Sequence, residues 1–151
     1  MVWVKTGFLI LIMARVIYTD TKYGKIENWV IGAGYGMAFL LAYKHGGLIE
    51  TGESVKAAFI MICMLFFLFV IKGLGAGDIK LFSVIAAFFP EMGFKTVIFS
   101  FLIGTLFIGI RAIYRVVTKQ IIYIKGETIH FSLPIAVALG FEIVGSHINL
   151  I

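Results

Sequence analysis

The sequence predicts an all-α membrane protein with several transmembrane helices. Of its 151 residues, 61% are hydrophobic and 14% are charged, and the mean hydropathy is +1.05. Soluble domains carry roughly 25% charged residues, so this chain has too few polar residues to cover a water-facing surface. Its apolar runs are continuous rather than alternating, unlike the strands of an outer-membrane barrel. These observations exclude a disordered chain, a disulfide-linked secreted module and an ordinary soluble enzyme.

Six apolar stretches predict six spans within a single domain, 1–151, since a spanning helix needs about 20 mostly apolar residues. In chain order they cover residues 2–19, 29–43, 55–71, 79–89, 94–117 and 129–148. The fourth ends at Pro90 and is short. Its length of about 16 Å, at 1.5 Å per residue, is roughly half of a bilayer core.

The lysines and arginines predict that the N-terminus lies outside, because cytoplasmic loops carry an excess of these residues. With this orientation, nine of them lie inside and four outside. The inner nine are Arg15, Lys22, Lys25, Lys72, Lys80, Arg111, Arg115, Lys119 and Lys125, and the outer four are Lys5, Lys44, Lys56 and Lys95. We therefore expect a multi-pass protein of the inner (cytoplasmic) membrane. Its net charge of +5 then reflects topology and contact with the bilayer rather than nucleic-acid binding.

The chain has two aspartates, Asp20 and Asp78, and both are predicted at the cytoplasmic face because an odd number of spans precedes each. An acid near hydrocarbon is costly, which makes it a candidate functional residue. The structural alternatives are that Asp20 caps the first helix or pairs with Lys22 or Lys25, and that Asp78 is the N-cap of the fourth helix.

Three glycines at alternate positions precede Asp78, in the segment KGLGAGD. Glycine permits positive φ and close approach of another chain, so we expect an extended segment that binds a peptide strand through main-chain hydrogen bonds. Two carboxylates about 3 Å apart cannot both ionise. The ionised one would activate water, and the protonated one would donate to the scissile carbonyl. No metal site is predicted, because the sequence lacks an HExxH motif and contains one cysteine, Cys63.

Residues 75–81, GAGDIKL, resemble the GxGDxKL signature of the type IV prepilin peptidases, which are intramembrane aspartic proteases. Residues 20–28, DTKYGKIEN, resemble the first motif of that family, with Glu27 at the usual proline position. Residues 131–134, FSLP, and 138–140, ALG, resemble its C-terminal segment.

The resemblance implies that Asp20 and Asp78 are the catalytic pair and that no metal or organic cofactor is needed. The substrate would be a prepilin with a basic leader ending in glycine and an apolar helix after it, cut at the cytoplasmic face. The chain is similar to the small peptidases of tight-adherence pili or archaeal-type relatives. Because it lacks the cysteine-rich insert of the methylating members, we expect cleavage without N-methylation.

Supporting or substrate-binding roles are expected for Gly75, Gly77, Lys80 and Asn28. Lys80 is placed to lower the pKa of Asp78, to contact the substrate backbone, or to snorkel towards the headgroups. Asn28 is placed to orient the loop after Asp20 or to cap the second helix.

Two other functions are compatible with the same sequence. A proton- or cation-coupled transporter would use both acids and would need further polar residues across the membrane. A non-enzymatic scaffold would tolerate Asp→Asn at both positions. Arg111, Arg115 and Lys119 recur every four residues, which favours a helical stripe that anchors lipid phosphates. The sequence gives no oligomeric state.

Overall fold

The computed structural model describes residues 2–117 and 131–148, and within them the chain is helical and contains no strand. The helices are α1 (Val2–Tyr23), α2 (Asn28–Val70), α3 (Ala76–Phe88), α4 (Pro90–Val117) and α5 (Ser132–Ile148). The predicted all-α class is confirmed. Lys119, Lys125 and the start of the predicted sixth span lie outside the described residues, as do the side chains of Arg111 and Arg115.

Helix α2 contains two of the predicted spans, because helical residues continue through most of the segment that the sequence predicts to be a loop. The backbone is nevertheless not helical at Gly46 (φ −137°, ψ 17°) or at Gly47 (φ 65°, ψ −144°). The φ of Gly47 lies in the left-handed region, which glycine adopts without a steric penalty. We call residues 28–45 the first half of α2 and residues 48–70 its second half.

The two halves of α2 lie against the same neighbour, α3. In the first half, the Tyr35 hydroxyl is hydrogen-bonded to that of Ser83. In the second half, Ser54 Oγ donates to the carbonyl of Ala87 at 2.5 Å. The chain therefore reverses direction at the two glycines, as a pair of adjacent spans requires.

Helix α3 is the centre of the bundle, and from Leu81 to Phe88 it is buried on all sides. Its buried residues are Ile79, Leu81, Phe82, Ser83, Val84, Ile85, Ala86, Ala87 and Phe88. A helix that is apolar all round belongs inside a fold rather than at its surface. Small residues allow neighbouring helices to approach closely: a Cβ added at Gly34 would lie 2.8 Å from Val84 Cγ1, and one at Gly93 would lie 2.7 Å from Ala86 Cβ.

The outside of the bundle is apolar. Large side chains such as Phe59, Phe67, Leu102 and Leu106 are exposed there. Among the described helices, α1, α2 and residues 90–110 of α4 are long and apolar enough to cross a membrane. Apolar helices with an apolar exterior are those of a membrane protein, whose solvent is hydrocarbon along most of its surface.

Contacts between helices define two ends of the bundle. At one, which we call the aspartate end, Ser132 Oγ lies 2.5 Å from Asp20 Oδ2 and Lys80 Nζ lies 2.9 Å from Asn28 Oδ1. At the other, the opposite end, Lys5 Nζ lies 3.6 Å from Glu50 Oε1. Helix α1 thus runs towards the aspartate end, while α3 and α5 begin there.

Candidate active site

Asp20 lies in the last turn of α1, on the face that packs into the bundle. The helix ends because Gly24 takes a φ of 62° and its N–H bonds to the Asp20 carbonyl at 2.8 Å, an arrangement typical of helix C-termini. The Asp20 residue is only 8% exposed, and its Oδ2 accepts a hydrogen bond of 2.5 Å from the buried hydroxyl of Ser132. This position is an interior one, and not that of a carboxylate in a solvated loop.

Asp78 is the third residue of α3, and its carboxylate turns back to accept a hydrogen bond from the backbone N–H of the N-cap residue, Gly75. This is one half of a capping box, and the acid also stabilises the positive end of the helix dipole. The prediction that Asp78 is itself the N-cap is therefore wrong. A Cβ added at Gly75 would lie 2.9 Å from Asp78 Oδ2, so glycine leaves the carboxylate room to fold back.

The prediction of an extended glycine-rich segment is correct only at Gly75, where φ is −74° and ψ is 148°. The residues before it turn at the end of α2, where the Gly73 N–H bonds to the Leu68 carbonyl. Ala76 and Gly77 are already helical, because α3 must begin there to place Asp78 against the Gly75 N–H. Positive φ among the described glycines occurs only at Gly24 and Gly47. Gly77 serves a close approach instead: a Cβ there would lie 3.2 Å from Ile26 Cβ, in the loop between α1 and α2.

Asp20 and Asp78 line one cavity of about 460 Å³ at the aspartate end. They are close enough for the charge of Asp20 to act directly on Asp78. The other lining residues are Gly24, Lys25, Ile26, Asn28, Gly75, Gly77, Lys80 and Phe131. The structure therefore brings together every residue for which the sequence predicts a site role.

Lys80 and Asn28 form one wall of this cavity, where Lys80 Nζ donates to Asn28 Oδ1 at 2.9 Å. Asn28 does not cap α2, contrary to one of the two predicted roles. The N-cap is Glu27, which makes no side-chain capping bond. Asn28 instead ties the start of α2 to α3, and it holds the lysine head beside the two acids.

Glu27, which stands at the usual proline position of the motif, anchors the α1–α2 loop to α1. Its Oε2 accepts hydrogen bonds from Arg15 Nε at 3.2 Å, from Arg15 Nη2 at 3.0 Å and from Trp29 Nε1 at 3.1 Å. The ion pair between Arg15 and Glu27 thus restricts the loop after Asp20. A proline would restrict it through its fixed φ.

A second cavity, of about 220 Å³, adjoins the first at Gly75, Asp78 and Phe131, which line both. Its remaining walls are mainly apolar and come from the loop before α3 and from α4. These residues are Gly73, Leu74, Phe101, Gly104, Thr105 and Ile108. Asp78 therefore lines two cavities: the first has charged and polar side chains in its wall, and the second has mainly apolar walls.

Sequence reasoning missed the contact between Ser132 and Asp20. The signal available was the FSLP segment, which marks residues 131–134 without indicating a partner. Within the described ranges, no group of three or more His, Cys, Asp or Glu side chains is arranged to hold a metal ion. What the arrangement offers chemically is two carboxyl groups that line one cavity, with a hydroxyl donor to Asp20.

The fold and site define a helical membrane protein with two carboxylates from different helices in a shared cavity. The family model of the type IV leader peptidases matches residues 7–113, and the chain belongs to this family of peptidases. The resemblance drawn from the motifs is thereby confirmed. Comparisons with curated proteins and with solved structures found no match.

Proposed function

We propose that this chain is a multi-pass aspartic endopeptidase of the inner membrane that removes the leader peptide from prepilin-like substrates at the cytoplasmic face. The single observation that carries the proposal is the cavity shared by Asp20 and Asp78. It occurs in a member of a leader peptidase family, and the two acids come from helices that only the tertiary fold brings together.

In the proposed reaction, one water molecule is added across the scissile peptide bond. The ionised carboxylate accepts a proton from this water, and the oxygen of the water attacks the carbonyl carbon. The protonated carboxyl donates to the carbonyl oxygen. When the C–N bond breaks, the leaving amine takes up the proton that the first carboxylate had accepted from water, and a hydroxyl of the tetrahedral intermediate returns its proton to the second carboxylate. Because two interacting acids titrate as a pair, the two roles belong to the dyad rather than to named residues.

The two cavities around Asp78 suggest how a substrate would lie. The apolar cavity beside Phe101 and Ile108 suits the apolar segment of a prepilin, and the polar cavity suits the cleavage junction. Lys80 and Asn28 would hold the substrate backbone or the carboxylates in place. We propose cleavage without N-methylation, since Cys63, the one cysteine of the chain, cannot form a cysteine cluster.

The proposal is tested by co-expressing the chain with a prepilin from the same genome and following the mass of the pilin. We expect loss of the leader without the added mass of a methyl group. Asp20→Asn and Asp78→Asn should each reduce the rate to below about a thousandth of wild type, because removing one member of a catalytic unit disables the whole. Glu53→Gln, at an exposed glutamate paired with Lys56 at 3.5 Å, is the matched control and should cleave normally.

Equal cleavage by both aspartate variants would contradict the catalytic assignment. An uncleaved pilin, together with proton or cation flux that depends on the two aspartates, would favour the transporter instead.

The proposed topology has six spans with the N-terminus outside. It is supported by the reversal of α2 at Gly46 and Gly47 and by the lysine and arginine count. Cys63→Ser removes the native thiol, so single cysteines at Lys22 and at Glu53 can be probed with a membrane-impermeant maleimide. We expect labelling at position 53 in intact cells and at position 22 only after permeabilisation. The reverse pattern would invert the orientation.

A further inference from the structure

We infer that Ser132 is a positioning residue that fixes the orientation of the Asp20 carboxylate, an inference that rests on the proposed peptidase function. Ser132 Oγ donates to Asp20 Oδ2 at 2.5 Å. Ser132 is completely buried and Asp20 is 8% exposed. The bond joins the first residue of α5 to the last turn of α1, and these two residues are 112 positions apart in the chain.

The serine acts on the acid rather than on the substrate. Asp20 lines the cavity at the aspartate end, whereas Ser132 is not among the residues that line it. The hydroxyl therefore reaches the carboxylate from within the protein. A buried hydroxyl in this position is not a nucleophile for a peptide bond. It is a hydrogen-bond donor to one oxygen of a buried carboxyl group, and buried polar atoms are costly to leave without a hydrogen bond.

The neighbouring residue, Phe131, keeps the serine in place. Its ring centroid lies 5.3 Å from that of Phe101 and 6.5 Å from that of Phe82. A Cβ added at Gly104 would lie 2.9 Å from Phe131 Cε2, so the glycine admits the ring against α4. The Phe131 carbonyl accepts the N–H of Ile135 at 3.2 Å, which continues the rigid start of α5.

The consequence is geometric. A hydrogen bond to one oxygen of a carboxyl group restricts its rotation about the Cβ–Cγ bond. The Ser132 hydroxyl, at the start of a helix, makes such a bond to Asp20 Oδ2. Ser132 thus sets the direction in which the Asp20 carboxyl faces the cavity that Asp78 also lines. A small misplacement of a reacting group can cost about 10²-fold in rate.

The test compares four variants in the cleavage assay. Ser132→Ala removes only the hydroxyl. Ser132→Thr and Ser132→Val have the same shape and β-branching, but only threonine keeps a hydroxyl. We expect Ala and Val to lower kcat by about 10- to 10²-fold with KM unchanged, and Thr to restore cleavage relative to Val. Ser54→Ala, which removes a buried hydroxyl bonded to Ala87 away from the site, should leave kcat within about twofold of wild type.

Equal kcat for the Thr and Val variants, with Ala similar to wild type, would overturn the inference. A higher KM with kcat unchanged would also overturn it, because the hydroxyl would then bind substrate. If the β-branched variants do not accumulate in the membrane, Ser132→Ala carries the test alone.

A second readout does not depend on activity, so failure of the inference is distinguishable from failure of the proposed function. Thermal unfolding of Ser132→Ala, Asp20→Ala and the double variant forms a double-mutant cycle. Non-additive shifts of the unfolding temperature support the contact, and additive shifts contradict it, whether or not wild type cleaves a pilin.

Discussion

The two ends of the bundle place charge in different settings. At the opposite end, Glu50 lies between two basic groups: Lys5 Nζ at 3.6 Å and His45 Nδ1 at 2.8 Å. At the aspartate end, three basic side chains have other partners. Arg15 is paired with Glu27, Lys22 Nζ donates to the Tyr18 hydroxyl at 3.0 Å, and Lys80 Nζ donates to Asn28. The two aspartates interact with each other, and Asp20 is bonded to the hydroxyl of Ser132.

The two ends therefore differ in the partners of their acidic side chains. Ion pairs that water can reach contribute little to stability. In the proposed reaction, a strong ion pair on Asp20 or Asp78 would compete with the water and the carbonyl that the carboxylate must serve. Arg15, Lys22 and Lys80 are engaged with neutral groups or with a different acid, whereas Lys25 lines the cavity of the two aspartates.

The largest difference between the two ends is expected when one methyl group is added at each. At Gly75 a Cβ would lie 2.9 Å from Asp78 Oδ2, and at Gly46 a Cβ would lie 2.6 Å from Glu50 Oε2. We expect Gly75→Ala to reduce cleavage by about 10²-fold through displacement of a reacting group. Gly46→Ala, the matched control, also crowds Glu50 Cβ at 2.8 Å, so the second half of α2 must shift slightly at its start. Cleavage should nevertheless be unchanged, because this shift is at the opposite end of the bundle. Similar rates for the two variants would show that the fold-back of Asp78 onto Gly75 is not needed.

A smaller effect is expected from the lysines. Lys80→Met removes the ammonium group bonded to Asn28 in the cavity wall while keeping most of the stem. We expect a loss of about tenfold in kcat/KM, the scale of one removed polar interaction. Lys56→Met, at an exposed ion pair with Glu53, provides the control and should have no effect on cleavage. If Asn28→Ala leaves kcat/KM at the wild-type value while Lys80→Met lowers it, the lysine acts on the substrate or on the two acids without needing Asn28.

The smallest effect belongs to the opposite end. Glu50→Gln removes the negative charge between Lys5 and His45. We expect a small decrease in the unfolding temperature and normal cleavage, because Glu50 and His45 are reached by water and the site is at the other end. The decrease should shrink at high salt, which screens exposed charges. A loss of cleavage in this variant would show that the two ends are coupled.

Sequence reasoning reaches part of this arrangement. The short fourth helix follows from Pro90, which begins α4 directly after α3 ends at Phe88. The placement of Asp20 and Asp78 at one end follows from counting spans. The turn at Gly46 and Gly47 is harder to locate, since helical residues continue on both sides and only two residues depart from the helix.

The details around the carboxylates depend on tertiary contacts that no local pattern encodes. A serine at a helix start usually serves as a cap, so nothing in FSLP indicates that Ser132 bonds to a residue in α1. Asparagine before a helix suggests a cap in the same way, yet Asn28 bonds to Lys80 in α3. Glu27 departs from the family motif, and only the fold supplies Arg15 as its partner.

The enclosure of α3 has a consequence for how this sequence can vary over evolutionary time. Residues on the exposed face of α2, such as Phe59 and Phe67, contact the surroundings of the bundle, where one large apolar side chain replaces another at little cost. Residues 81–88 of α3 have no such face, since all of them are buried among other helices. Substitutions there require compensating changes in a neighbour. Residues 81–88 should therefore be slow to diverge, and they should change together with their contacts in α2.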